Sequence, residues 1–247
     1  MRSIDRILLR AVDLLVEFGF SGELLASQNA VSLIAYHVYK GGSLNASSKD
    51  GLKRYLVHAL LKTVFGGSSD QVLVSLRNAL RVEEPPGEYT LRKQEFDFEE
   101  VARTELPDRK SLRITEEDLD AFLTYRKGAG AFLVLTMLYP HLRYADVSFH
   151  QDHLHPHSGF NEVAFDELQL SAMNRQEWLE FRDQVPNLQL LEGRENSSKN
   201  ATSLQDWVES IPEELRTSRL TTSFTPPTVL SFENFPEFYR QRRELLR

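Results

Sequence analysis

The sequence predicts an α+β chain in two parts: a mainly helical half over residues 1–113, then a part over 114–247 that runs strand, long loop, strand, helix. Three observations lead there. Apolar residues recur at 3–4 spacing through the first half, as in helices with one buried face. Near residue 144 that period gives way to alternation, the mark of a half-buried strand. The composition, 41% hydrophobic and 26% charged over 247 residues, is that of a globular chain long enough for one large or two small domains.

Taken in order, Ile4, Ile7, Leu8, Ala11, Leu14, Leu15 and Phe18 form the first helical face, which Gly19, Phe20, Ser21 and Gly22 end. Ala30 to Tyr39 is apolar nearly all round and stops at Gly41-Gly42, which predicts a buried helix. Leu52, Tyr55, Leu56, Ala59 and Leu60 make a third face, stopped at Gly66-Gly67, and Val72, Leu73, Leu76 and Leu80 a fourth. The first ~110 residues therefore read as a helical bundle. Pro85-Pro86-Gly87 marks Glu83 to Tyr89 as a loop, and Phe96 to Leu106 reads as a helix stopped by Pro107. The domain boundary falls near 107–114. Thr115 with Asp118 resembles a capping box opening a helix through Phe122 and Tyr125, and Ala129 to Leu138 predicts a short core helix.

Beyond it, Ala145, Val147 and Phe149 alternate with Asp146, Ser148 and His150, a strand over 144–150 that runs into Gln151-Asp152-His153-Leu154-His155-Pro156. Trp178 to Arg182 looks helical. Asn187 to Leu191 predicts a second strand after Pro186, Glu192-Gly193-Arg194 a turn, and Asn196-Ser-Ser-Lys199 a helix start. A last helix lies within Phe232 to Leu246 and carries Phe235, Phe238 and Tyr239.

Composition narrows the function. No run of 18 apolar residues predicts a membrane span, and Arg2, Asp5, Arg6, Arg10, Asp13 and Glu17 interrupt any signal-peptide core. The absence of cysteine excludes disulfides and thiolate zinc sites and fits a reducing, cytoplasmic setting. A formal net charge of −7 argues against a surface that grips nucleic acid along its length, so any DNA contact is local. Of seven histidines, five fall between His141 and His157.

The chemistry-bearing residues follow that cluster. Hydrolysis of a phosphodiester needs a divalent cation on the phosphate, and Mg²⁺ takes hard oxygen ligands and keeps several waters. A neutral imidazole suits the task of deprotonating the attacking water. Asp152 and His153 are neighbours at a strand end, and neighbours on extended backbone point to opposite sides. Asp152 is thus placed to hold metal while His153 faces the water. Asn196 is placed to complete the metal site with its amide oxygen, Lys199 one turn later to reach a phosphate oxygen, and Asn187 to brace the loop after His153.

Asp152-His153-Leu154-His155-Pro156, Asn187 and Asn196-Ser-Ser-Lys199 together resemble the HNH (His-Me finger) signature D-H-x-x-P…N…N-x-x-K. The nine-residue step from Asn187 to Asn196 is similar to that in the HNH domain of CRISPR effector nucleases. Pro186-Asn187-Leu-Gln-Leu-Leu and Glu195-Asn196-Ser-Ser-Lys199-Asn200 resemble the C-terminal nuclease domain of GmrSD-type, modification-dependent restriction endonucleases. Ser27-Gln28-Asn29-Ala30, Thr115-Glu-Glu-Asp118 and Phe232 to Arg243 extend the likeness over most of the chain. The resemblance implies a ββα-metal nuclease domain over 114–247 that cuts DNA with Mg²⁺ or Mn²⁺. It implies Asp152 and Asn196 as metal ligands, His153 as general base, Asn187 as orienting residue, and a place in a restriction or phage-defence system. Full-length members carry an upstream nucleotide-binding domain with a D-G-Q-Q-R-like motif, which this sequence lacks. Recognition is then expected from such a domain or a partner protein, with residues 1–113 as the helical connector.

Blander readings stand beside each residue. Asn196 suits a helix cap, Lys199 a solvated helix position, His155 and His157 exposed loop positions, and His150 an outward strand position. His37 and His58 read as satisfied structural histidines, and Arg240, Arg242 and Arg243 as a solvated face. Two other functions compete. One is a zinc hydrolase using His150, His153, His155 and His157, although their H-x-D-H-x-H order departs from the metallo-β-lactamase pattern. The other is a non-catalytic HNH-like module that binds DNA or a partner.

Overall fold

The structure, a computed structural model, describes residues 4–20, 25 and 27–247 and is mixed α+β with mainly helical content. It divides into two units, Met1–Thr115 and Glu116–Arg247.

In the first unit, α1 (Ile4–Glu17) buries Ile7, Ala11, Leu14 and Leu15, while Ile4, Leu8, Leu9, Val12 and Val16 form an exposed apolar row. The buried stripe is narrower than expected: Ile4 and Leu8 lie outside it. Gly19 takes a positive φ of 88°, and Ser21 and Gly22 lie outside the described residues. Helix α2 (Asn29–Tyr39) ends ahead of Gly41, whose φ of 78° is the left-handed conformation that glycine adopts freely. Helix α3 (Ala46–Leu61) begins where the Asn45 side chain accepts from the Ser48 amide at 2.9 Å. Gly51 lets it approach its neighbour, since a Cβ there would lie 2.6 Å from the Phe96 carbonyl. Tyr55 is fully buried and donates to the Ala30 carbonyl. Helix α4 (Ser69–Leu80) buries Val72, Leu76 and Leu80.

The expected loop over Glu83 to Tyr89 is flanked by a short antiparallel ribbon, β1 (Arg81–Glu83) with β2 (Tyr89–Leu91). Three-residue strands are too short to show a period, so the sequence did not betray them. The helix expected over Phe96 to Leu106 is only α5 (Phe98–Ala102), capped by Asp97, and a 3₁₀ turn covers Pro107–Arg109. His58 Nδ1 lies 2.8 Å from the Leu112 carbonyl oxygen, which can only accept, so Nδ1 carries the proton. The buried His37 meets the Ser43 carbonyl at 3.0 Å through Nε2.

The second unit opens with α6 (Glu116–Leu123) and α7 (Ala129–Leu138), the latter with the predicted limits. Strand β3 (Phe149–His153) pairs antiparallel with β4 (Leu188–Glu192), Phe149 opposite Glu192 and His153 opposite Leu188. Helix α10 (Gly193–Lys199) follows β4 directly. Between the strands lie α8 (Glu162–Glu167) and α9 (Ala172–Arg182), and after α10 come α11 (Leu204–Ser210), α12 (Glu213–Thr222) and α13 (Phe235–Leu246).

The first strand lies further along than the alternation suggested. Residues 144–148 make no ladder, and strand begins where β4 supplies a partner. Asn187 belongs to a 3₁₀ turn, Val185–Asn187, rather than to β4. Glu192 ends the strand and Gly193 starts the helix, so no separate turn intervenes. The core gathers Leu154, Phe160, Phe165, Trp178, Leu204, Val208, Phe235, Phe238 and Tyr239. Rings such as Phe160 and Phe235 meet edge to face at 4.8 Å.

Arg242 overturns its reading as a solvated residue: it is completely buried. Its guanidinium donates to the carbonyls of Pro186 at 2.8 Å, Leu188 at 2.9 Å and Ser223 at 3.1 Å, and to the Tyr139 hydroxyl at 3.1 Å. Apolar periodicity alone marks Arg as exposed, whereas its five forked donors can satisfy a knot of carbonyls that no helix or strand pairs. Among the described residues no helix is long and apolar enough to cross a membrane.

Candidate active site

The last two residues of β3 are Asp152 and His153, and extended backbone sends their side chains apart. Asp152 is buried, and its Oδ2 accepts from Gln189 Nε2 at 2.9 Å, the residue opposite it on β4. The same oxygen lies 3.0 Å from Lys199 Nζ on α10. Lys199 also donates to the His153 carbonyl at 2.6 Å. Its ammonium is buried, so Lys199 is neither a solvated helix residue nor a cation presented to a phosphate. Burial lowers its pKa, and the neighbouring Asp152 carboxylate works in the opposite direction. The pair pins the C-terminal end of α10 to the end of β3.

His153 faces the other way. Its Nε2 lies 2.9 Å from Asp183 Oδ1, and its ring packs edge to face on His157 at 5.5 Å. Burial lowers its pKa, Lys127 and His157 add to that, and the Asp183 hydrogen bond opposes it. The imidazole is therefore neutral near pH 7, the form a general base needs. Burial alone would raise the pKa of Asp183, but hydrogen bonds from Arg182 and His153 outweigh it and hold the carboxyl ionised. The Lys127 amide donates to the Asp183 carbonyl at 2.8 Å and the Val185 amide to the Tyr125 carbonyl at 3.0 Å, which fixes this segment beside the strand end.

Asn187 is fully buried and braces the loop beyond His153. Its Oδ1 accepts from the His155 amide at 2.9 Å, and its Nδ2 donates to the carbonyls of His155 at 3.1 Å and Arg182 at 2.8 Å. One side chain thus ties the segment after β3 to the segment before β4.

Asn196 lies within α10, three residues past its first, so it is not the helix cap; Glu192 holds that position. It is half-buried, and its amide makes no hydrogen bond among the described residues. Spacing of i, i+3 places it one turn from Lys199 on the same face, and Lys199 reaches Asp152. Asp152 Oδ1 likewise accepts no hydrogen bond among the described residues, both partners being on Oδ2. One carboxylate oxygen and one amide oxygen fit a hard cation that keeps most of its waters.

The histidine cluster does not converge. His150 is exposed beside Gly193, His153 is held by Asp183, and His157 is exposed. His155, expected in an exposed loop, is 1% exposed and wedged edge to face against Phe235 and Phe238 at 5.4 and 4.7 Å. Burial pushes its pKa down to about 3, so it serves the core as a neutral ring. Among the described residues no three His, Asp or Glu side chains gather as a ready-made metal site.

Asp183 is the residue that sequence reasoning missed. It follows a helical stretch as an ordinary C-cap, thirty residues from His153, and no spacing rule links the two. Compared with protein-family models and with curated proteins, the chain gives no match.

Proposed function

We propose that this chain is a metal-dependent DNA endonuclease of the HNH, ββα-metal type, similar to the nuclease part of GmrSD-type restriction endonucleases. The observation that carries the reading is the end of β3. There Asp152 turns toward Lys199 on α10, the helix that also carries Asn196, while His153 turns away as a neutral, carboxylate-held imidazole, with β4 and α10 following in order.

Asp152 and Asn196 would hold Mg²⁺ or Mn²⁺, and such a cation would supply charge neutralisation at the phosphate and at the departing oxygen. His153 accepts a proton from water as the water oxygen forms a bond to phosphorus. The bond from phosphorus to the leaving sugar oxygen breaks, and that oxygen keeps the electron pair and takes a proton from solvent. Asn187 holds the loop after His153 in place. Lys199 keeps β3 and α10 in register instead of contacting phosphate. With a net charge of −7 and a small site, binding to DNA is weak and strongly salt-dependent. Selectivity is supplied by an upstream nucleotide-binding domain or a partner protein, docked by the helical residues 1–113. The exposed apolar row on α1 supports that role. The setting is a cytoplasmic restriction or phage-defence system.

Nicking of supercoiled plasmid, with each metal in turn, tests the reading. Cleavage with Mg²⁺ or Mn²⁺, abolished by EDTA and restored by either cation, is expected. Activity that needs stoichiometric zinc would favour the hydrolase. DNA retention without cleavage under every metal would reduce the site to a binding module.

A further inference from the structure

The nuclease reading leaves open which ring nitrogen of His153 takes the proton, and the geometry beside it decides. We propose that Asp183 is a positioning residue that fixes His153 as the Nε2–H tautomer and leaves the Nδ1 lone pair to deprotonate the attacking water. The catalytic half of this statement rests on the nuclease reading; the tautomer half does not.

Asp183 Oδ1 and His153 Nε2 are 2.9 Å apart, and a carboxylate can only accept, so Nε2 is the donor. Nδ1 makes no hydrogen bond among the described residues. Arg182 in turn orients the carboxylate, its Nη2 donating to Asp183 Oδ2 at 2.8 Å and its Nε lying 3.2 Å from each oxygen. The Asp183 backbone is tied as well, through its carbonyl to the Lys127 amide. Ring and carboxylate are thus both held before any substrate arrives. When Nδ1 takes the water's proton, the resulting imidazolium still donates from Nε2 to an anionic partner, which stabilises the charge that the reaction creates.

Asp183→Asn separates this role from a structural one. The amide is nearly isosteric, but Arg182 offers only donors and so claims the amide oxygen. The amide nitrogen then faces Nε2 as a donor, and His153 must accept there and move its proton to Nδ1. The same inversion at the histidine of the serine-protease triad costs about 10⁴ in kcat, a known example taken here as a guide to scale.

The experiment combines two readouts on the full chain. Long-range ¹H–¹⁵N correlation spectra of the His153 ring are expected to place the proton on Nε2 in the wild type and on Nδ1 in Asp183→Asn. Plasmid nicking by that variant is expected to lose roughly 10²–10⁴-fold in kcat with little change in KM. No nicking by the wild type, with the proton still moving from Nε2 to Nδ1 on Asp183→Asn, would sink the nuclease reading and leave the positioning role standing. Nδ1–H in the wild type, or a variant with unchanged tautomer and kcat, would overturn the proposal itself.

Discussion

His153→Ala is expected to slow plasmid nicking roughly 10²–10⁴-fold while Mn²⁺ affinity stays at the wild-type level. The size is that of a lost general base, since alanine leaves water to give up its proton unaided. The split between rate and metal binding follows from how the strand end is tied. Lys199 reaches residue 153 through the backbone carbonyl, and that bond survives removal of the ring. Asp152 keeps its own partners, Lys199 and Gln189, so the proposed ligand stays in place. The variant leaves Asp183 paired with Arg182 at 2.8 Å, so the carboxylate keeps a charged partner. An unaltered rate at saturating Mg²⁺ would remove His153 from the mechanism.

Arg242→Ala is expected to have the largest effect on stability, a loss of roughly 3–5 kcal/mol. The truncation empties a completely buried volume and strands the carbonyls of Pro186, Leu188 and Ser223 without donors. Arg242→Lys should recover only part, because one ammonium cannot span acceptors that a planar fork reaches together. Both tryptophans, Trp178 and Trp207, lie in the second unit, so their fluorescence during urea unfolding reports that unit alone. The carbonyls of Pro186 and Leu188 flank Asn187, which links this brace to the site. A midpoint for Arg242→Ala equal to the wild type would show that the knot carries little energy.

The contrast between Asp152 and Arg242 shows what the sequence could and could not reveal. Helices with a repeating apolar face were legible, and α7 has its predicted limits because a short, wholly apolar run bounded by Gly128 has few other uses. The fold class at the level of mixed, mainly helical α+β was legible for the same reason. Helices α8, α11 and α12 were not: they are short and polar, with too few buried positions to set a period. The β3 boundary was misplaced because alternation describes a residue's faces, whereas a strand exists only where a partner pairs with it. At the site, Asp152, His153 and Asn187 stood out through local order and spacing. Lys199, His155, Arg242 and Asp183 take their character from partners remote in sequence. A lysine one turn along a helix reads as solvated until a buried carboxylate is found opposite it. A loop histidine reads as exposed until a C-terminal helix closes over it with Phe235 and Phe238.

A cation held by Asp152 and Asn196 is what the proposed chemistry most requires, and Mn²⁺ calorimetry on the wild type and Asp152→Ala tests it. The wild type is expected to bind one Mn²⁺. Asp152→Ala is expected to lose affinity by more than the roughly 10–100-fold that changes in a metal's outer shell produce, since a direct ligand is gone. Mn²⁺ affinity undiminished in Asp152→Ala would contradict the account.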